Sequence, residues 1–220
     1  MKLFKDESQK IKIHRIYLLV SASLIFSGVI VGLTLDGFGA LRYFTYLSNV
    51  LLVAYFLYLF SSYGKNEILN SYFSMSVIIA ILITCLVYNF ILAPFTDFGP
   101  VFSSNESFAR NYQNSMSHLF SMGLVLVNYF IFEKKGYFKY THILVGMIFP
   151  LLYWLVFVTI GGIINFYPYF FMDIPILGWN MAILWFIILL AAFAIIGFLL
   201  FIIDGVIGKK RLLKQNKENI

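Results

Sequence analysis

Six stretches without a charged residue, at 16–35, 43–64, 68–96, 111–132, 140–172 and 174–203, take up most of the chain, each 20 residues or longer. In helical form about 20 residues, at roughly 1.5 Å each, cross a hydrocarbon core of about 30 Å. The stretches are continuously apolar rather than alternating, which favours helices over barrel strands, and a helix satisfies its own backbone polar groups in lipid. The sequence therefore predicts an all-α polytopic membrane protein: one domain, 1–220, with six transmembrane helices in one bundle over about 16–35, 43–61, 71–93, 111–132, 141–162 and 178–203. Composition excludes a soluble fold, since 61% of residues are hydrophobic and 12% charged, against roughly 45–50% and about 25% in soluble domains.

The distribution of positive charge predicts the orientation. Of the 16 lysines and arginines, all but Arg42 and Arg110 fall in the two terminal segments or in the second and fourth loops, around Lys65 and Lys134–Lys139. The positive-inside rule then places both termini in the cytoplasm. The net charge of +6 reads as a topology signal and an attraction to anionic lipid rather than to nucleic acid. The basic N-terminal segment before a long apolar run with no A-x-A site is expected to be an uncleaved first span. A lone Cys85 inside the third stretch excludes a disulfide framework and a cysteine-based zinc site, and neither a metal nor a cofactor is expected. Gly28 and Gly32 form a G-x-x-x-G step suited to close helix packing.

Polar residues inside the stretches fall mainly on the side away from the termini. Thr45, Ser48 and Asn49 follow Arg42 at the start of the second span. Tyr88 and Asn89 lie near the end of the third, and Asn111, Asn114 and His118 open the fourth; Asn165, Tyr167, Tyr169 and Asp173 follow the fifth. Spacings of i, i+3, i+4 and i, i+3, i+7 put the second-span and fourth-span sets each on one helical face. Polar groups in a membrane usually face the bundle interior or a water-filled cavity, so an outward-opening polar pocket is expected. On the other side, Asn128, Thr141, His142 and Asp204 are expected near the interface within reach of water, as is His14. Each residue also has a plain reading: Thr45 bonding its own preceding turn, His118 as a neutral ring bonded to Asn114 or another helix, Asp173 capping the next helix.

These residues carry a resemblance. Arg42-Tyr43-Phe44-Thr45-Tyr46-Leu47-Ser48-Asn49, then Asn114-Ser115-Met116-Ser117-His118, then Gly161-Gly162 followed by Tyr167-Pro168-Tyr169-Phe170-Phe171-Met172-Asp173, together resemble the bacterial Pr6Pr family. That family is related to the animal androgen-induced gene 1 protein and the androgen-dependent regulator of tissue factor pathway inhibitor. The resemblance covers the whole chain, with Gly123 standing where a proline is expected and Asn128 where many members carry an acidic residue. It implies an intramembrane hydrolase of fatty acid esters of hydroxy fatty acids, with Thr45 as nucleophile and His118 as base. Substrate-holding, oxyanion or supporting roles are then expected among Arg42, Asn49, Asn114, Tyr167, Tyr169 and Asp173, the last as an orienter of the histidine.

The chemistry is coherent, because a threonine alcohol needs a base to attack an ester and the developing oxyanion needs donors. The partners this implies are the bilayer and a lipid or fatty acid ester, in a bacterial plasma membrane, with no nucleic acid. The alternative from another class is a small-solute or lipid transporter or binding protein with an outward polar vestibule. A haem carrier is disfavoured because His118 lies at one side and His14 and His142 at the other.

Overall fold

The computed structural model describes residues 6–62, 67–96 and 99–218. Among these, six helices are long and apolar enough to cross a membrane: α1 (Glu7–Asp36), α2 (Phe44–Ser61), α3 (Leu69–Phe95), α4 (Phe108–Phe132), α5 (Tyr140–Ile164) and α6 (Ile174–Lys210). The chain is thus an all-α, multi-pass membrane protein. Of the charges used for orientation, Lys2, Lys5 and Lys65 lie outside the described residues.

Several helices outrun the stretches that hydropathy marks, because caps rather than lipid set their ends. Asp6 starts α1 by accepting from the Gln9 N–H at 2.7 Å, and Ser107 starts α4 by accepting from the Arg110 N–H at 3.2 Å. Helix α5 ends at Asn165, whose φ of 52° is left-handed, a conformation asparagine tolerates. Gly178, at φ 74°, breaks the first turn of α6 from the rest.

The polar contacts fix alternating helix directions. Arg110 at the start of α4 grips Asp36 at the end of α1 through two hydrogen bonds of 2.6 and 2.7 Å. At the other end of the same pair, the His14 ring meets Asn128 Oδ1 at 2.8 Å. The first of these ends is called here the far face and the second the termini face. Helix α3 is the most enclosed and α6 the least; α3 packs against α2, α4, α5 and α6.

The G-x-x-x-G step works as close packing. Met116 of α4 lies where a side chain on Gly28 would begin, and the Tyr46 ring of α2 fills the same place at Gly32. That approach lets the Tyr46 hydroxyl reach Asp36 at 3.1 Å.

Helices α3 and α4 contain π-helical turns at Tyr88–Leu92, Met116–Phe120 and Asn128–Phe132. Each such turn adds a residue to the helical repeat and rotates the remainder of the helix about its axis. The turn at Met116–Phe120 begins after Asn111 and Asn114, so it shifts only His118 relative to them. Asn111 pins the preceding loop, accepting from the Ser103 N–H and donating to its carbonyl, both at 2.8 Å.

Replacing Gly32 by valine should drive Tyr46 out of its place and lower stability by about 1–3 kcal/mol. Gly39→Ala, where nothing lies within 4 Å, should leave it unchanged. Thermal unfolding of the two variants in detergent measures both.

Candidate functional site

Thr45 sits in the first turn of α2, where backbone N–H groups have no partner within the helix. Against this turn lies Tyr169, from the loop after α5. That loop folds back into the bundle and buries Tyr169, Phe171 and Met172. Burial pushes the Tyr169 phenol up to about 12, opposed by hydrogen bonding with the Thr45 side chain and with the Thr45 and Phe44 backbone. Tyr169 is therefore a neutral hydroxyl held against Thr45. Gly161 makes the fold-back possible, because the Tyr167 ring lies where a side chain on residue 161 would begin.

The remaining polar groups link three helices. Ser48 and Thr84 hydroxyls meet at 2.9 Å between α2 and α3. The Asn49 amide donates to the Thr45 carbonyl at 2.8 Å and to the Ser117 carbonyl of α4 at 3.1 Å. A single side chain thus ties the turn carrying Thr45 to the residue before His118. His118, 4% exposed, lies in the second π turn and stacks on Tyr88 of the first, with ring centroids 3.6 Å apart. Its Nδ1 and the Asn49 Oδ1 are buried without a hydrogen-bond partner among the described residues. No hydrogen bond joins Thr45 to His118 among the described residues; Thr45 faces Tyr169, while His118 lies against Tyr88 and the Thr84 backbone.

Thr45 and Thr84 also line a cavity of about 60 Å³ whose other walls are apolar, from Ile83 and Val87 of α3, Tyr153 and Trp154 of α5 and Phe186 and Leu189 of α6. That volume is room for a few heavy atoms rather than a chain. It lies against the least enclosed helix of the bundle.

Thr45, Asn49, Tyr169 and His118 thus gather in one cluster on the far face, and Asn114 is buried one turn before His118. Three others are placed elsewhere. The Arg42 guanidinium lies over the Phe166 ring at 4.7 Å, and its carbonyl accepts from the Tyr153 hydroxyl at 2.8 Å. Tyr167 packs on Gly161. Asp173 caps α6, accepting from the Ile176 N–H at 3.3 Å. Thr84 was not singled out from the sequence. The signal was a hydroxyl in the middle of the most apolar part of α3.

The termini face corrects the sequence reading. Asn128, His142 and Asp204 are not within reach of water there, at 0%, 1% and 1% exposed, and His14 is 6% exposed on the wall of a cavity that opens on this face. For Asp204 and His142 the reason is that the loop after α4 folds inward against them. Asp204 holds that loop, accepting from the Tyr129 hydroxyl and from the Gly136 and Phe138 N–H groups, each at 2.9 Å. His142 meets the Ser71 hydroxyl at 2.8 Å. Glu133, read from sequence only as a break between spans, becomes a hub: its carboxylate accepts from Tyr55 at 2.8 Å, Ser74 at 2.6 Å and Asn128 at 2.6 Å.

No family model, curated protein or solved structure matches the chain.

Burial raises the Glu133 carboxyl above the usual glutamate range, against the pull of its hydrogen bonds and Lys135. A raised folded-state value makes the folded protein the better proton binder. Its contribution to stability is complete below the ordinary glutamate value of about 4.3 and is lost as pH rises through the folded value. Melting in detergent should fall over that window in the wild type and stay flatter in Glu133→Gln.

Proposed function

We propose that the far-face cluster is the active site of an intramembrane lipid-ester hydrolase, with Thr45 as nucleophile and His118 as base. The observation that carries this reading is the placement of Thr45. Its hydroxyl stands between a buried polar cluster containing an unprotonated-nitrogen candidate, the unpartnered His118 Nδ1, and an apolar cavity at the edge of the bundle. A lipid ester needs both environments within one side chain's reach. The resemblance of the segments around Thr45, His118 and Tyr169 to the Pr6Pr family points to the same two residues.

In the proposed reaction the Thr45 hydroxyl attacks the ester carbonyl as its proton passes to the His118 ring. The tetrahedral intermediate collapses with that proton going to the leaving alcohol. Water, deprotonated by the same ring, then releases the acyl group from Thr45. His118 has to swing toward Thr45 for the first step, a contact that catalytic pairs often complete only with substrate in place. The donors nearest Thr45 are the Tyr169 phenol and the first-turn N–H groups of α2. The Asn49 amide is committed to two carbonyls, so Tyr169 is the preferred oxyanion donor. The acyl chain enters from lipid beside α6 by widening the cavity. With the termini in the cytoplasm, as the positive-inside rule would have them, this reading has the site face the outer leaflet.

A second reading, movement of a solute or lipid, draws on the buried polar groups at the termini face, which the sequence alone did not reveal. Its sign would be transport in proteoliposomes that survives Thr45→Ala.

A fluorophosphonate should label the purified protein at Thr45, and Thr45→Ala should abolish both labelling and ester turnover. His118→Ala should lower turnover by about 10²–10⁴-fold, and Tyr169→Phe by about 10²-fold with little change in KM. Undiminished labelling and turnover in Thr45→Ala would reject the assignment.

A further inference from the structure

A second cavity, of about 470 Å³, opens on the termini face, at the opposite end of the bundle from Thr45 and His118. Its size falls within the roughly 300–1,000 Å³ of small-molecule sites. We propose that it binds a compact zwitterion, with the ammonium group against Glu133 and the anionic group at Lys10 and Lys134. The proposal stands independently of the ester-hydrolase reading.

Glu133 supplies the first reason. The three groups that hydrogen-bond its carboxylate, from Tyr55, Ser74 and Asn128, are all neutral. They take up three of its about four acceptor sites, and among the described residues no cation lies within ion-pair distance of it, whereas a buried charge is costly without an opposite one. Lys135 is close enough to be felt electrostatically, but its ammonium is turned to the Tyr129 carbonyl and ring. The charge on Glu133 therefore calls for a cation from the cavity side.

The cavity wall supplies the second. Asn70, which lines it, carries a buried Oδ1 with no hydrogen-bond partner among the described residues. An oxygen that can only accept, near a carboxylate that can only accept, suits a group that only donates, and an ammonium has three donors. A bare metal ion fits less well. Calcium takes about six to eight oxygen ligands, and among the described residues no group of three or more His, Cys, Asp or Glu side chains is placed to hold a metal. Much of the remaining wall is aromatic and aliphatic, including Phe132, Phe138 and Leu59, which favours an organic cation.

The mouth decides against a plain cation. Lys10 and Lys134 line the cavity with Glu7; Lys10 is 3.6 Å from the Glu7 carboxylate and Lys134 has a contact of its own, so the mouth carries two positive charges against one negative. The two lysines would repel an isolated ammonium and attract a phosphate or carboxylate carried on the same molecule. An aminophospholipid headgroup and a free aminoalkyl phosphate share this chemistry.

Delipidated protein in an amine-free detergent distinguishes them. One arm titrates 2-aminoethyl phosphate by calorimetry; the other measures retention of phosphatidylethanolamine against phosphatidylglycerol by native mass spectrometry. The expected result is saturable binding in at least one arm, weakened ten-fold or more by Glu133→Gln and by Ile11→Trp, which fills the cavity without touching the carboxylate. Binding in the lipid arm alone assigns a headgroup site, and binding in the other a soluble ligand. The proposal is overturned by no binding in either arm, by equal retention of the two lipids without binding of the free compound, or by binding undiminished in Ile11→Trp. Should Glu133→Gln fail to fold, Ile11→Trp alone decides.

Discussion

A polar group buried between helices in hydrocarbon has to find its partner on another helix, because lipid offers none. This requirement organises the bundle. Buried Asn49 with Ser117 fastens the helices on the far face, joined at the more exposed helix ends by Asp36 with Arg110. His14 with Asn128, and Glu133 with Tyr55 and Ser74, fasten them on the termini face. Between the two clusters α3 contributes Met75, Ile78, Ile79 and Ile81, all fully buried. The polar fasteners sit near the ends and the dry core between them sets the spacing, so each cluster is held from both sides.

The π turns are what bring the two clusters into register. Tyr88, His118 and Asn128 each lie in one of them, and each is a buried member of a polar or aromatic contact that crosses between helices. The extra residue per turn re-aims side chains that a regular helix would send elsewhere.

The far-face site and the termini-face cavity differ in kind. The first is small, mostly apolar and roofed by a loop tyrosine, and suits a reacting group at the end of an aliphatic chain. The second is larger, carries charge at its floor and mouth, and suits a polar headgroup or small ion pair. Both are enclosed by inward-folding loops, the segment after α5 over Thr45 and the segment after α4 over Glu133. The chemistry at each end is thereby set by loop residues lying against helix side chains.

The fold class was legible in the sequence because lipid imposes a length and an apolarity that six stretches meet, and because charged residues can only sit between them. The placement of Thr45, Asn49 and His118 toward the same end of the bundle was legible too, since helix direction and depth follow from counting residues, whereas their mutual proximity was not. Three things needed the tertiary structure. The π turns have no signal in hydropathy. The hydrogen bonding of Tyr169 to Thr45 depends on a loop turning back into the bundle, permitted by the missing side chain at Gly161. The burial of His142 and Asp204 depends on another loop closing over them. Sequence fixes how far along a helix a polar group lies, but whether water reaches it is decided by what packs across it, and that partner is distant in the chain.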